Sequence, residues 1–341
     1  VLGQSLSADD DVRVLADRVV RSLSEPFVDS GRELYITASV GVVTTSDLHM
    51  DGEHLLRDAD AAMYQAKERG RNQHQFFDAS LRDRAAAKYA LESELVRALE
   101  RGQFRLEYQP VFSLAERQVI GTEALIRWDH PACGTVPPSE FIGLAESRGL
   151  IVPIGTWVLN EACRQLAEWT ALRDRSLSPL TMAVNVSGRQ LRAGDFVDAV
   201  RSALERHGVA AGQLCLEITE TTLIEEAEAR DALEELAGLG VHIALDDFGT
   251  GYSSLAHLRQ FPVDVLKIDR SFVVRIETND RERQIVAAVI EMGHVLGMTV
   301  VGEGIETAGQ LQQLCDLGCD EGQGYLLARP LRPEAVALLL R

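Results

Sequence analysis

The sequence predicts an α/β protein: a (β/α)8 TIM-like barrel with an antiparallel first strand, preceded by a partial α/β segment. Three observations lead there. From residue 104 onward, β-rich runs recur at 104–112, 118–127, 181–187, 214–219, 241–246, 263–268, 298–303 and 323–327. Helix-period stretches at 141–145, 156–172, 196–207, 226–239, 253–260, 281–296 and 307–317 separate most of them, an alternation typical of parallel sheets. Only residues 114–118 join the first two runs. A parallel crossover needs roughly a dozen residues, so that pair is a hairpin. An open doubly wound sheet is the alternative arrangement of the same elements.

Earlier elements follow from local pattern. Residues 9–23 carry Val12, Leu15, Val19, Val20 and Leu23 as a helical stripe, with Asp9 or Asp10 as a cap. Residues 34–43 (LYITASVGVV) suit a buried strand. Residues 53–69 return to helical periodicity, and Gly70 supplies a stop beside Lys67, Arg69 and Arg71. A helix over 81–101 ends at Gly102. The expected organisation is a first segment at 1–78, a connecting helix at 79–101 and the barrel at 102–341.

The chain has 341 residues, 46% of them hydrophobic, enough for a sizeable core. Its formal charge of −18 argues against a partner such as bulk duplex nucleic acid, yet permits an anionic ligand held through cations. No run is long and apolar enough for a membrane span, and the opening VLGQSLSADDD has no signal-peptide pattern. A cytoplasmic location is expected. Cysteines 133, 163, 215, 315 and 319 lack zinc spacing and read as reduced thiols.

Barrel enzymes place their chemistry at the C-terminal ends of strands. Those ends are polar here: Glu123 and Arg127, Asn185, Glu217 and Glu220, Asp246 and Asp247, Lys267 and Asp269, Glu303, and Gln323. A single acid at a strand end is usually a cap or a solvated loop group. Recurrence around one rim is not explained that way. Carboxylates and an amide, without a His or Cys cluster, suit a hard cation such as Mg2+ or Mn2+. Glu123, Glu217, Asp246, Asp247 and Glu303 carry −5, and Lys267 brings this to −4, which two divalent ions would neutralise. A pair of such ions suits in-line attack on a phosphodiester, with Lys267 orienting water or offsetting charge. Neighbouring strand residues point to opposite faces, so Asp246 and Asp247 act on one ion only if the strand ends there. The Gly249–Thr250–Gly251 loop is a weak signal, and neither GxxxxGK[ST] nor GxGxxG occurs.

The stretches YQP (108–110), EALIRW (123–128), NVS (185–187), EITE (217–220), DDFGTGYSSL (246–255), LKID (266–269), EGIET (303–307) and QGY (323–325) together resemble an EAL domain, the bacterial cyclic di-GMP phosphodiesterase. The resemblance implies a barrel with an antiparallel first strand and hydrolysis of cyclic di-GMP to linear pGpG in second-messenger signalling. It implies Mg2+ or Mn2+ held by Glu123, Asn185, Glu217, Asp246 and Asp247, with Glu303 and Gln323 completing the site. It puts Lys267 at the catalytic lysine position, Glu220 on the loop after the fifth strand, and Gln109, Arg127 and Gln323 toward the substrate. Gly143 and Gly302 depart from residues common in the family, Pro and Ala, without removing a ligand. A non-catalytic cyclic di-GMP receptor is the alternative. Within 1–78, ITASVGVV (36–43) and LLRDADAAMYQAKERGRNQ (55–73) resemble the second half of a GGDEF diguanylate cyclase domain, without its signature. That segment is expected to make no cyclic di-GMP, to be the less stable part and to expose a sheet edge, so either high mobility or a contact between copies, a homodimer, is expected there.

Overall fold

The computed structural model describes residues 9–24, 27–29, 32–34, 36–45, 51–78, 91–174, 177–225, 229–249 and 258–340. The chain forms two compact units, Val1–Glu94 and Leu95–Arg341.

In the first unit, β1 (Phe27–Asp29) and β2 (Arg32–Leu34) form an antiparallel pair. Strand β3 (Val40–Val42) lies parallel to β4 (His74–Phe76), with the helix Gly52–Glu68 as the crossover. Asp51 caps that helix by accepting from Glu53 N. Gly41 is required here: a Cβ would stand 1.9 Å from Ala59 O, so helix and strand touch backbone to backbone. The single strand expected over 34–43 is divided. A β-rich run does not set the ladder's length; the partner does, and β4 offers only three residues. The helix Asp9–Ser24 agrees with its apolar stripe. Of the helix expected over 81–101, residues 91–98 are helical, and 79–90 lie outside the described residues.

The second unit is a closed eight-stranded barrel. Its strands are β5 (Phe104–Ser113), β6 (Gln118–His130), β8 (Thr181–Asn185), β9 (Leu214–Thr219), β10 (His242–Phe248), β11 (Val265–Ile268), β12 (Thr299–Gly302) and β13 (Glu321–Gly322). Neighbours pair in the order β5-β13-β12-β11-β10-β9-β8-β6, and β5 closes the ring on β6. Strand β5 is antiparallel to both its neighbours; every other barrel pairing is parallel. The short 114–118 connection leaves no other solution. Strand β7 (Gly134–Val136) folds back antiparallel on the long end of β6.

Around the barrel, Ile268, Val286, Ile290, Val300, Ile305 and Leu314 pack one side of the core between strands and the helices Asp280–Val295 and Ala308–Asp316. On another side Tyr108 meets Trp169 edge to face at 4.8 Å between ring centres. Helix Ile151–Leu172 begins five residues before its apolar pattern suggested, because Pro153 sits in the first turn, where its missing N–H costs nothing. The last strand is Glu321–Gly322 rather than 323–327. Gly324 forces the departure: its missing Cβ would stand 2.1 Å from Ile305 N, and the chain turns there so that Ile305 donates to Gln323 O and Leu326 donates to Ile305 O. The expected 253–260 helix falls mostly on residues outside those described, as do Thr250 and Gly251 of the loop after β10.

Candidate active site

Ladder register builds the site. Glu123 on β6 pairs with Ala183, Asn185 on β8 with Glu217 on β9, and Asp246 on β10 with Thr219. Lys267 on β11 pairs with Val301, two residues before Glu303. Side chains two apart share a face. Glu123, Asn185, Glu217, Asp246, Lys267, Glu303 and Gln323 therefore converge at one mouth of the barrel.

The convergence is tight. Lys267 Nζ lies 2.7 Å from Glu303 Oε1, 2.8 Å from Glu217 Oε1, 3.1 Å from Asp246 Oδ1 and 3.7 Å from Glu123 Oε2. Gln323 donates from Nε2 to Glu123 Oε2 and to Glu303 Oε1, each at 2.8 Å. Asn185 Nδ2 donates to Glu123 Oε1 at 2.8 Å. Glu217 Oε2 is buried without a hydrogen-bond partner, and Asp246 Oδ1 faces Lys267 without hydrogen-bond alignment.

The strand does not end at Asp246 and Asp247: β10 runs on to Phe248, and a bulge stands where a strand end was expected. The β10–β11 register shifts between Leu245 and Phe248, and Asp247 adopts φ +54°. This bulge ends the alternation. Asp246, Asp247 and Glu303 each bring a carboxylate oxygen within 4.8 Å of the others. Glu220, first residue of the helix Glu220–Glu225, accepts from Gly249 N at 3.2 Å and ties down the backbone just after the bulge.

Three residues stand elsewhere. Gln109 faces Glu123 across the β5–β6 ladder, and its amide donates to Ala328 O at 3.2 Å. Arg127, four residues beyond Glu123, donates from Nε to Glu107 Oε2 at 2.8 Å and from Nη1 to Ile126 O. Asp269 caps the helix Arg270–Val273 by accepting from Ser271 N at 3.0 Å, the ordinary role of an acid after a strand. Glu107 was not singled out from the sequence. It joins Arg127 to Arg105, which also reaches Asp129, in one chain of ion pairs. The Arg105–Glu107 spacing of two on a strand was the available signal.

A family model described as EAL domain matches residues 92–330. The chain belongs to the EAL domain family. A second model, diguanylate cyclase, GGDEF domain, matches residues 1–73. The bifunctional diguanylate cyclase/cyclic di-GMP phosphodiesterase MucR of Pseudomonas aeruginosa is 42% identical over 325 residues, 95% of this chain and 47% of MucR. The cyclic di-GMP phosphodiesterase NbdA of the same organism is 43% identical over 337 residues, 98% of this chain and 43% of NbdA. The chain thus spans about half the length of the curated relatives it matches. The solved structure of PaMucR phosphodiesterase in its c-di-GMP complex aligns with a TM-score of 0.69 at 43% identity, over 72% of this chain and 99% of that one.

Electrostatics of the EAL rim follow from burial and crowding. Burial raises the Glu123 carboxyl, but Lys267, Gln323 and Asn185 outweigh it and hold the group below its usual range. Burial and the neighbouring Glu123 push Glu217 well above the usual range, with Lys267 opposing them. Glu303 rises to about 7, chiefly through burial, with Lys267 opposing and Asp246 adding to it. Burial, then Asp246 and Asp269, raise Asp247. Burial works against the Lys267 ammonium, yet Glu123, Glu217, Glu303 and Asp246 hold its pKa well above the ordinary lysine value. Lys267 is a fixed cation. The carboxylates exceed what it alone can neutralise.

Proposed function

We propose that this EAL domain hydrolyses cyclic di-GMP to linear pGpG and that it needs divalent cations to do so. The observation that carries the reading is the trio Asp246, Asp247 and Glu303, with carboxylate oxygens within 4.8 Å of one another, beside a Glu217 oxygen that has no partner. An orphaned buried carboxylate oxygen is costly in protein alone. All-oxygen donors in an acidic mouth fit Mg2+ or Mn2+. Glu123, Asn185, Glu217, Asp246 and Asp247 would hold two such ions, with Glu303 and Gln323 alongside. Bound there, the ions would lower the pKa of water and neutralise charge on a phosphodiester.

The chain's own side chains have these tasks in the proposal. Lys267 keeps its proton through the reaction and offers a buried positive charge to the phosphoryl oxygens as a water adds and a ribose oxygen leaves. Gln323 fixes the rotamers of Glu123 and Glu303 by donating to both. Glu220 keeps the Asp246–Asp247 bulge in place through Gly249. Arg127 contacts a second phosphate of the ring, oriented by Glu107. Gln109 lines the substrate side of β5.

The family match at 1–73 supports reading 1–78 as a partial GGDEF segment, 79–101 as a connection and 102–341 as the EAL barrel. A homodimer and a cytoplasmic setting belong to the same proposal. Among the described residues no helix is long and apolar enough to cross a membrane. Product analysis after incubation with cyclic di-GMP and Mg2+, against EDTA, tests the reading: pGpG only with metal supports it, and intact cyclic di-GMP in both arms contradicts it.

A further inference from the structure

The far end of the barrel holds a second feature. Where β6 and β8 begin, away from the carboxylate rim, a cavity of about 400 Å3 is lined by Glu116, Gln118, Ile120, Arg173, Leu177 and Ser178. That volume lies in the range of small-molecule sites, roughly 300–1,000 Å3.

Arg173 directly follows the helix Ile151–Leu172 and is only 9% exposed. Its Nη2 donates to Val119 O at 2.9 Å. Its Nε is buried with no partner. Among the described residues no carboxylate pairs with it, and burial draws the guanidinium's pKa down without an opposing charge. Buried arginines are ordinarily paired. This one has a single backbone carbonyl and borders an open space.

We propose that this cavity binds a small monocarboxylate with an apolar body. One guanidinium matches one negative charge, and its planar fork matches the two oxygens of a carboxylate. Gln118 and Ser178 add polar groups, while Ile120 and Leu177 offer apolar wall to the remainder. A doubly charged phosphate would leave its second charge facing Glu116 in a chain of net charge −18. The alternative is that Arg173 serves only to tie the helix end to Val119.

Hexanoate titrated into the full chain by calorimetry separates the two, with inorganic phosphate and hexylamine as controls. The expected result is one saturable hexanoate site per chain, not displaced by phosphate or hexylamine. Arg173→Gln should weaken it by about tenfold or more, the loss of a charge-assisted contact. Ser178→Trp should fill the cavity from an exposed position, abolish hexanoate binding and leave the melting temperature unchanged. That variant decides the matter if Arg173→Gln does not fold. No saturable hexanoate binding, undiminished binding in either folded variant, or phosphate binding in hexanoate's place would overturn the proposal.

Discussion

Lys267 Nζ sits 2.8 Å from Glu217 Oε1, and the other oxygen of that carboxylate is buried with no partner. One cation is therefore shared among four carboxylates, Glu123, Glu217, Asp246 and Glu303.

The first consequence is stability linked to divalent ions. Mg2+ should raise the melting temperature of the chain relative to EDTA, since a ligand at about 100 times its Kd adds about 2.7 kcal/mol to the folded state. Glu217→Gln should raise the melting temperature in EDTA, by relieving repulsion, and shrink the Mg2+ increment. Thermal unfolding with and without Mg2+ checks both signs. An unchanged increment in Glu217→Gln would remove that residue from the metal site.

Removing Lys267 should have the opposite effect without metal. Breaking a buried ion pair from one side costs about 3–5 kcal/mol. Lys267→Ala should lose about that much stability in EDTA, regain part of it with Mg2+, and turn over cyclic di-GMP at least about a hundredfold more slowly, the size of a lost transition-state charge contact. Denaturant unfolding in the two conditions, set beside kcat, measures it. A rate near that of the parent would make Lys267 structural alone.

Arg127→Ala should weaken cyclic di-GMP binding by about 1.5–3 kcal/mol, the size of a charge-assisted contact. Glu107→Ala should weaken it less, because it removes only the residue that holds Arg127 in place. Affinity measured in EDTA, where turnover is suppressed, isolates binding. Equal affinity in Arg127→Ala with a lowered melting temperature would confine the residue to the ion-pair chain with Glu107.

Glu321 on β13 gives a pH signature away from the rim. Burial, with Asp320 adding to it, raises its carboxyl from 4.5 to about 7. Below pH 4.5 both folded and unfolded forms hold the proton, and there is no penalty. Between pH 4.5 and about 7 the unfolded chain releases it while the fold retains it, so stability falls as pH rises and then levels off. Glu321→Gln should therefore match the parent near pH 4 and exceed it at pH 8 by about 2–3 kcal/mol. Paired melting curves across that range check the difference. A constant gap would mean that Glu321 does not titrate as described.

Much of this was legible in the sequence because both signals are local. Period-two and period-3.6 patterns marked seven of the barrel strands closely, and the short 114–118 link specified the antiparallel pair. Polar residues at successive strand ends placed the rim. Other features depend on distant chain and carry no local signature. The bulge at Asp247 arises from the β10–β11 register. The early end of β13 arises from Gly324 against Ile305. The division of residues 34–43 arises from the length of β4. The pairing of Arg127 on β6 with Glu107 on β5 depends on the ladder between two strands.

The carboxylate mouth around Lys267 should hydrolyse cyclic di-GMP only with divalent cations present. Chromatography of nucleotides after incubating the purified chain with cyclic di-GMP, in Mg2+ and in EDTA, measures this. Conversion to linear pGpG is expected in Mg2+, and none in EDTA. Equal conversion in both, or cyclic di-GMP bound yet intact in Mg2+, would contradict it.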